Sequence, residues 1–232
     1  TFQISRDGTT LGDLPVRFRA GGNARRGQDY DLFIGGEILE GNIVTIPEGA
    51  SSINVVLRPI DDGLVEPTET VVLSILNARD YRLAEDRGLL SASATIEDNE
   101  PTLSIMMMDE EACEEDFDTA VFRVMREGSN QREVVANLRM NGTARVNQDV
   151  QMMVNGEPME GHTVTIPAGQ DSVDVVMMPM DDQMVERPET MTMTLMRSRA
   201  FNMPEDQAAM TGSAVLIDNE PTVVVGAMDA EA

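Results

Sequence analysis

Two acidic segments hold the side chains best suited to chemistry. Pro59-Ile60-Asp61-Asp62-Gly63-Leu64-Val65-Glu66-Pro67-Thr68-Glu69-Thr70 returns as Pro179-Met180-Asp181-Asp182-Gln183-Met184-Val185-Glu186-Arg187-Pro188-Glu189-Thr190, and each copy places four carboxylates within nine residues. Carboxylates this close repel one another, and the ionised state is disfavoured unless a cation neutralises it. A hard divalent ion held through oxygen, calcium above all, suits such a donor set. The same composition also suits an acidic loop that simply faces water. What separates the two readings is the rest of the chain.

The net charge is −24, from 41 acidic and 17 basic residues. Such a balance would repel a phosphate backbone, so nucleic acid is not an expected partner. It favours solubility and cation binding. Hydrophobic residues make up 41% of the 232, enough for packed cores, whereas aromatics are 3% and tryptophan is absent. The cores are therefore expected to rest on Val, Ile, Leu and Met. No apolar run approaches the roughly 18 residues of a membrane span, so direct membrane insertion of this segment is not expected. Thr1-Phe2-Gln3-Ile4-Ser5 has neither an initiator Met nor a signal peptide, which predicts a longer parent chain.

Cys113 is the only cysteine, which excludes a disulfide framework and a thiolate metal cluster within the chain. Its neighbours Glu111, Glu114 and Glu115 make it a poor nucleophile. His162, the only histidine, has no evident base or nucleophile beside it in the sequence. No catalytic arrangement emerges, and the chain is expected not to be an enzyme. Paired carboxylates could serve a hydrolase, but the acidic segment occurs twice in equivalent places, as a structural site would.

That duplication is general. Phe2 matches Phe122, Val44-Thr45-Ile46-Pro47 matches Val164-Thr165-Ile166-Pro167, and Asp98-Asn99-Glu100-Pro101 matches Asp218-Asn219-Glu220-Pro221, always 120 residues apart. Residues 101–220 form one complete repeat. Residues 1–100 form a repeat lacking its first strand, and 221–232 match the first strand of a following one. Within each repeat the elements are strands. Ser52–Arg58 and Thr70–Leu76 alternate apolar and polar residues, as do Ser172–Met177 and Met191–Met196. Pro47-Glu48-Gly49-Ala50 and Pro167-Ala168-Gly169-Gln170 supply turns. Short strands without helical periodicity predict an all-β chain of tandem, immunoglobulin-like antiparallel β-sandwiches. All 18 methionines lie at or after Met106. Met177, Met180, Met193 and Met196 replace Leu57, Ile60, Leu73 and Leu76 and are expected to fill core positions.

These residues resemble the Calx-β family, a sandwich repeat of sodium–calcium exchangers and of large extracellular adhesion and matrix proteins. The resemblance runs along essentially the whole chain. It is carried by Gly27-Gln28-Asp29-Tyr30, by Val44-Thr45-Ile46-Pro47-Glu48-Gly49, by Asp61-Asp62 with Val65-Glu66 and Glu69-Thr70, and by Ala94-Thr95-Ile96-Glu97-Asp98-Asn99-Glu100. It implies calcium at one end of each sandwich. In the first repeat the implied oxygen donors are Asp29, Asp61, Asp62, the Leu64 carbonyl, Glu66, Glu69, Asp98 and Glu100. In the second they are Glu114, Asp149, Asp181, Asp182, the Met184 carbonyl, Glu186, Glu189, Asp218 and Glu220. The chain departs from the exchanger-type pattern where a run of aspartates becomes Asp98-Asn99-Glu100, and Gly63 and Gln183 stand where a further aspartate can occur. Fewer charged ligands imply weaker, extracellular-type affinity.

The resemblance implies a non-enzymatic, calcium-binding structural segment of an extracellular or cell-surface adhesion, matrix or filament protein, with calcium rigidifying the joints between repeats. Its expected partners are neighbouring repeats or head-to-tail copies, and a protein or glycan adhesion partner. The alternatives are a calcium-sensing domain pair of a membrane transporter and a filament subunit assembling by strand donation. Asn141-Gly142-Thr143 is an N-glycosylation sequon, expected in the loop before Asp149.

Overall fold

The computed structural model describes residues 1–181, 184–221 and 223–225, the side chain of Asp116 excepted. The chain divides into two compact units, Thr1–Asp98 and Asn99–Ala232, just ahead of the predicted boundary at 100. Each is an all-β sandwich.

The first unit contains β1 (Phe2–Ser5), β2 (Leu14–Gly22), β3 (Tyr30–Ile34), β4 (Glu37–Ile38), β5 (Ile43–Ile46), β6 (Ser52–Pro59), β7 (Glu69–Ile75) and β8 (Ser91–Ile96). Its two antiparallel sheets run β1-β6-β3-β4 and β5-β2-β7-β8. The second unit contains β9 (Thr102–Asp109), β10 (Glu111–Cys113), β11 (Ala120–Glu127), β12 (Val134–Gly142), β13 (Val150–Val154), β14 (Glu157–Pro158), β15 (Thr163–Ile166), β16 (Ser172–Pro179), β17 (Glu189–Leu195) and β18 (Thr211–Ile217). Its sheets run β14-β13-β16-β11-β9 and β10-β18-β17-β12-β15.

The difference between the units lies in residues 102–113. β9 pairs antiparallel with β11, and β10, with only Glu110 between them, crosses to the other sheet and pairs parallel with β18. The sequence pattern predicts antiparallel pairing throughout, and this parallel pair arises because one continuing segment serves both sheets. Among the described residues the first unit has no counterpart of β9 or β10, so β1 and β8 are sheet edges there. Pro221 and Val223–Val225 stand outside any strand, and Thr222 and 226–232 lie outside the described residues.

Alternation builds both cores. In β11 Ala120, Phe122, Val124 and Arg126 are buried while the residues between them face outward, and β16 alternates likewise. Scarce aromatics contribute more than composition suggests: Phe2, Phe18 and Tyr30 lie in the first core, Phe122 and Phe201 in the second. Of the methionines expected inside, Met177 and Met193 are buried, but Met180 and Met196 are exposed. Both fall one residue beyond the ends of β16 and β17, where the alternation stops.

Arg126 is an inward-facing cation. Its Nη1 donates to the Arg132 carbonyl at 2.9 Å and its Nη2 to the Ile166 carbonyl at 2.7 Å. Arg6, the matched residue, donates to the carbonyls of Ala50 (2.8 Å), Gly12 (3.0 Å) and Pro47 (2.8 Å). Each guanidinium thus ties down carbonyls in or beside the turns that join the strands. Arg126→Ala removes these donors from a 5%-exposed position. It should cost about 2 kcal/mol, read as a lower denaturant midpoint with unchanged m value.

Candidate metal centres

The acidic residues meet because several strands open or close at one end of each sandwich. In the first unit β2 and β6 end there, β3 and β7 begin there, and β8 ends there. Asp29 sits just ahead of β3 in a turn closed by its own N–H to the Arg25 carbonyl at 2.9 Å. The Arg25 N–H returns to Asp29 Oδ2 at 2.5 Å. The second unit repeats this, with the Arg145 N–H donating to Asp149 Oδ2 at 2.6 Å. Aspartate suits the position because its short carboxylate can accept from its own turn.

Asp29, Glu66 and Glu69 bring carboxylate oxygens within 4.8 Å of one another, as do Asp149, Glu186 and Glu189. A third group, Glu114, Asp218 and Glu220, converges within the same distance. Glu114 reaches it because β10 runs parallel to β18 and ends at the same pole, where the Glu114 N–H donates to the Ile217 carbonyl at 3.1 Å. Glu114 is 5% exposed. Its place among the donors therefore depends on the crossing segment that the first unit lacks.

Crowding shows in the acidities. The Glu69 carboxyl is raised above 4.5 by burial, by the charges of Asp29 and Glu66 and by a hydrogen bond with Asp29, against which Arg25 acts weakly. Glu189 is raised in the same way, by burial, then by Asp149 and Glu186. Glu220 is raised chiefly by its hydrogen bond with Asp218, then by burial and the charges of Asp218 and Asp181. A carboxyl whose folded value exceeds its unfolded one stabilises the fold fully below the unfolded value of 4.5, and loses that contribution as pH rises through the folded value. Calcium-free chain should accordingly gain from Glu69, Glu189 and Glu220 on acidification toward pH 4.5. The matching Gln substitutions at these positions should flatten that part of the melting-temperature profile.

Glu189 Oε2, Asp218 Oδ1 and Glu220 Oε2 are shielded from solvent with no hydrogen-bond donor against them. Oxygen-only donor sets with such atoms fit a hard divalent cation. Asp29, Glu66 and Glu69 would hold one in the first unit. Asp149, Glu186, Glu189, Glu114, Asp218 and Glu220 would do so in the second, and the ion would supply the positive charge that offsets their mutual repulsion.

The other predicted donors are not members of the three groups. Asp61 Oδ1 accepts from the Gly63 N–H at 3.2 Å and Asp62 Oδ1 from the Leu64 N–H at 3.0 Å, local turns that shape the acidic loop. Asp98 Oδ1 accepts from the Glu66 N–H at 2.9 Å and so steadies the loop that presents Glu66. Glu100 belongs to the second unit, where its carbonyl accepts from Asn202 Nδ2 at 3.0 Å. Asp181 acts on Glu220 through its charge. Leu64 and Met184 are exposed, and Asp182 lies outside the described residues.

Asn23 and Thr143, absent from the predicted sites, organise them. Asn23 Oδ1 accepts from the Thr70 N–H at 2.6 Å, and Thr143 Oγ1 from the Thr190 N–H at 2.9 Å, fixing the residue that follows Glu69 or Glu189. Both follow a positive-φ glycine, Gly22 or Gly142, and the Gly-Asn and Gly-Thr pairs at one repeat position were the available signal. Thr143 is also the sequon threonine. Asn141 is exposed but lies within β12, opposite Thr192, and not in the predicted loop, because pairing with β17 continues to Gly142.

Fold and site together define a class: an all-β chain of sandwiches, each gathering carboxylates at one pole. No family model matches the chain, and no curated protein does. Among solved structures it is similar to calcium binding domain CBD12 of CALX1.1, at 17% identity and a TM-score of 0.37, over 89% of this chain and 76% of that one. It is also similar to CBD12 from CALX1.2, at 13% and 0.39 over 94% and 92%. The apo-form Calx CBD1 domain is similar at 17% and 0.38, over 51% of this chain and 98% of that one.

Proposed function

We propose that the chain is a calcium-binding, non-enzymatic structural segment of an extracellular adhesion, matrix or filament protein. The observation that carries the reading is the convergence of matched carboxylates, Asp29 with Glu66 and Glu69, and Asp149 with Glu186 and Glu189. Two units that build the same oxygen-only site at the same pole suit a repeated structural ion. Asp98-Asn99-Glu100-Pro101 leads in sequence directly from one unit into the next, and Pro101 biases the residue before it toward extended backbone. Calcium in this region would stiffen the joint by ending the repulsion among the carboxylates around it. The partners in this reading are neighbouring repeats and a protein or glycan adhesion ligand.

Calcium titration by calorimetry tests it. Saturable heat at millimolar calcium or below, reduced in Glu69→Gln plus Glu189→Gln, is the expected result. A folded chain that takes up no calcium at these concentrations would overturn it.

A further inference from the structure

We propose that the outer face of the sheet β14-β13-β16-β11-β9 is an oxidation site, whose methionine thioethers take oxygen from hydroperoxides while the sandwich stays folded. Five methionines lie on that face: Met106 and Met108 of β9, Met125 of β11, Met178 of β16 and Met153 of β13. Met106 and Met108 are 43% and 48% exposed, and the other three are half-buried. Strand alternation separates them from the core. Met152 and Met177, the chain neighbours of Met153 and Met178, are buried on the inner face, as are Met191 and Met193 of the facing sheet. The outer sulfurs can therefore react without the core opening.

The first unit shows that the fold does not require thioethers there. Ser5, Arg58 and Phe33 occupy the positions of Met125, Met178 and Met153, in strands β1, β6 and β3 paired in the same order. Arg58 lies over the Phe33 ring at 4.3 Å. A sheet that accepts serine and arginine at these positions also accepts a polar sulfoxide. On the second unit's face polar groups are already at hand, because Arg123, opposite Met106, pairs with Asp174 at 2.7 Å. Few other side chains compete for an oxidant: tryptophan is absent, both tyrosines lie in the first unit, and the Cys113 thiol is half-buried. The sulfur lone pair attacks one peroxide oxygen, and the S–O bond forms as the O–O bond breaks. The departing oxygen takes the proton that the transferred oxygen gives up and leaves as water or an alcohol. Sulfur loses two electrons and the peroxide gains them. The product is a polar, chiral sulfoxide, so oxidation converts an apolar face into a polar one.

Timed exposure to hydrogen peroxide tests this, with peptide mapping by mass spectrometry and circular dichroism as readouts. Chelator is present throughout, so that neither metal-derived radicals nor the calcium reading plays a part. Met106, Met108, Met125, Met153 and Met178 should each gain one oxygen at least roughly tenfold faster than Met152, Met177, Met191 and Met193, whose sulfurs are reached only when the fold opens. The spectrum should stay that of the folded chain while they do so. The variant combining Met125→Ser, Met153→Phe and Met178→Arg, which carries the first unit's residues, should fold and consume correspondingly less peroxide. Face methionines that react no faster than the core ones would overturn the proposal. So would a folded spectrum lost in step with oxidation of the face, or failure of the combined variant to fold.

Discussion

Calcium at a hundredfold excess over its dissociation constant is expected to stabilise each loaded unit by about 2.7 kcal/mol, since an ion that binds only the folded state contributes RT ln(1 + [L]/Kd). For units near 100 residues each kcal/mol corresponds to roughly 4–8 °C, so melting temperature should rise by more than about 10 °C and fall back on chelation. Magnesium should do less, because it demands near-octahedral geometry and gives up water reluctantly. The calcium shift should shrink on acidification, because protons compete for Glu69, Glu189 and Glu220, the carboxyls whose proton affinity the fold raises. The sign is opposite to that of the calcium-free chain, where protonation of the same groups stabilises. Absence of any calcium-dependent shift between neutral and mildly acidic pH would sink the cation reading.

Gly142→Ala should be the most damaging single methyl addition near the site. Gly142 has φ +137°, and a Cβ there would overlap the Thr190 carbonyl oxygen, a backbone atom that cannot step aside. The same oxygen accepts from the N–H groups of Thr143 (2.9 Å) and Ala144 (3.1 Å), and Thr190 follows Glu189 directly. We expect a loss of roughly 3–5 kcal/mol, with the calcium response of the second unit lost and that of the first retained. Gly156→Ala is the control: its φ is +85°, but nothing lies within 4 Å of the added methyl, so about 1 kcal/mol of backbone strain is the whole cost. Equal effects of the two would show that the contact with Thr190 is unimportant.

Much of this was legible before the structure. The 120-residue offset and the alternation through Ser52–Arg58 and Met191–Met196 could be read from residue type and spacing, whereas Asp29 and Asp149 entered the donor set only through the family resemblance. The division of labour within the acidic loop could not be read. Asp61 and Asp62 look like the densest charge, yet their Oδ1 atoms accept from the second residue onward, a choice made by loop geometry that composition does not record. The crossing of 102–113 was also hidden. An apolar run paired on both edges of a sandwich reads like any buried strand, and nothing in its spacing marks where Glu110 passes it to the other sheet. Asn23 and Thr143 escaped for a related reason: asparagine and threonine accept equally well from an N–H, so a shared role was written in unlike letters. The outward Met180 and Met196 show the limit of replacement arguments, because matched positions in two repeats can share a strand end as readily as a core.

The crossing segment also bears on how the second unit would carry tension. β10 lies parallel to β18, so the chain enters at one pole through β9 and leaves at the other after Ile217. A pull between Pro101 and Asp218 therefore acts along both strands and loads the bonds joining Glu111–Cys113 to Val215–Ile217 together, not singly from one end. Forced unfolding follows the height of the unfolding barrier, and a shear-loaded pair must break as a group. The pole where those strands finish is the pole where Glu114, Asp218 and Glu220 meet, so a cation bridging them would tie the force-bearing strands to each other at the point where the pull is applied.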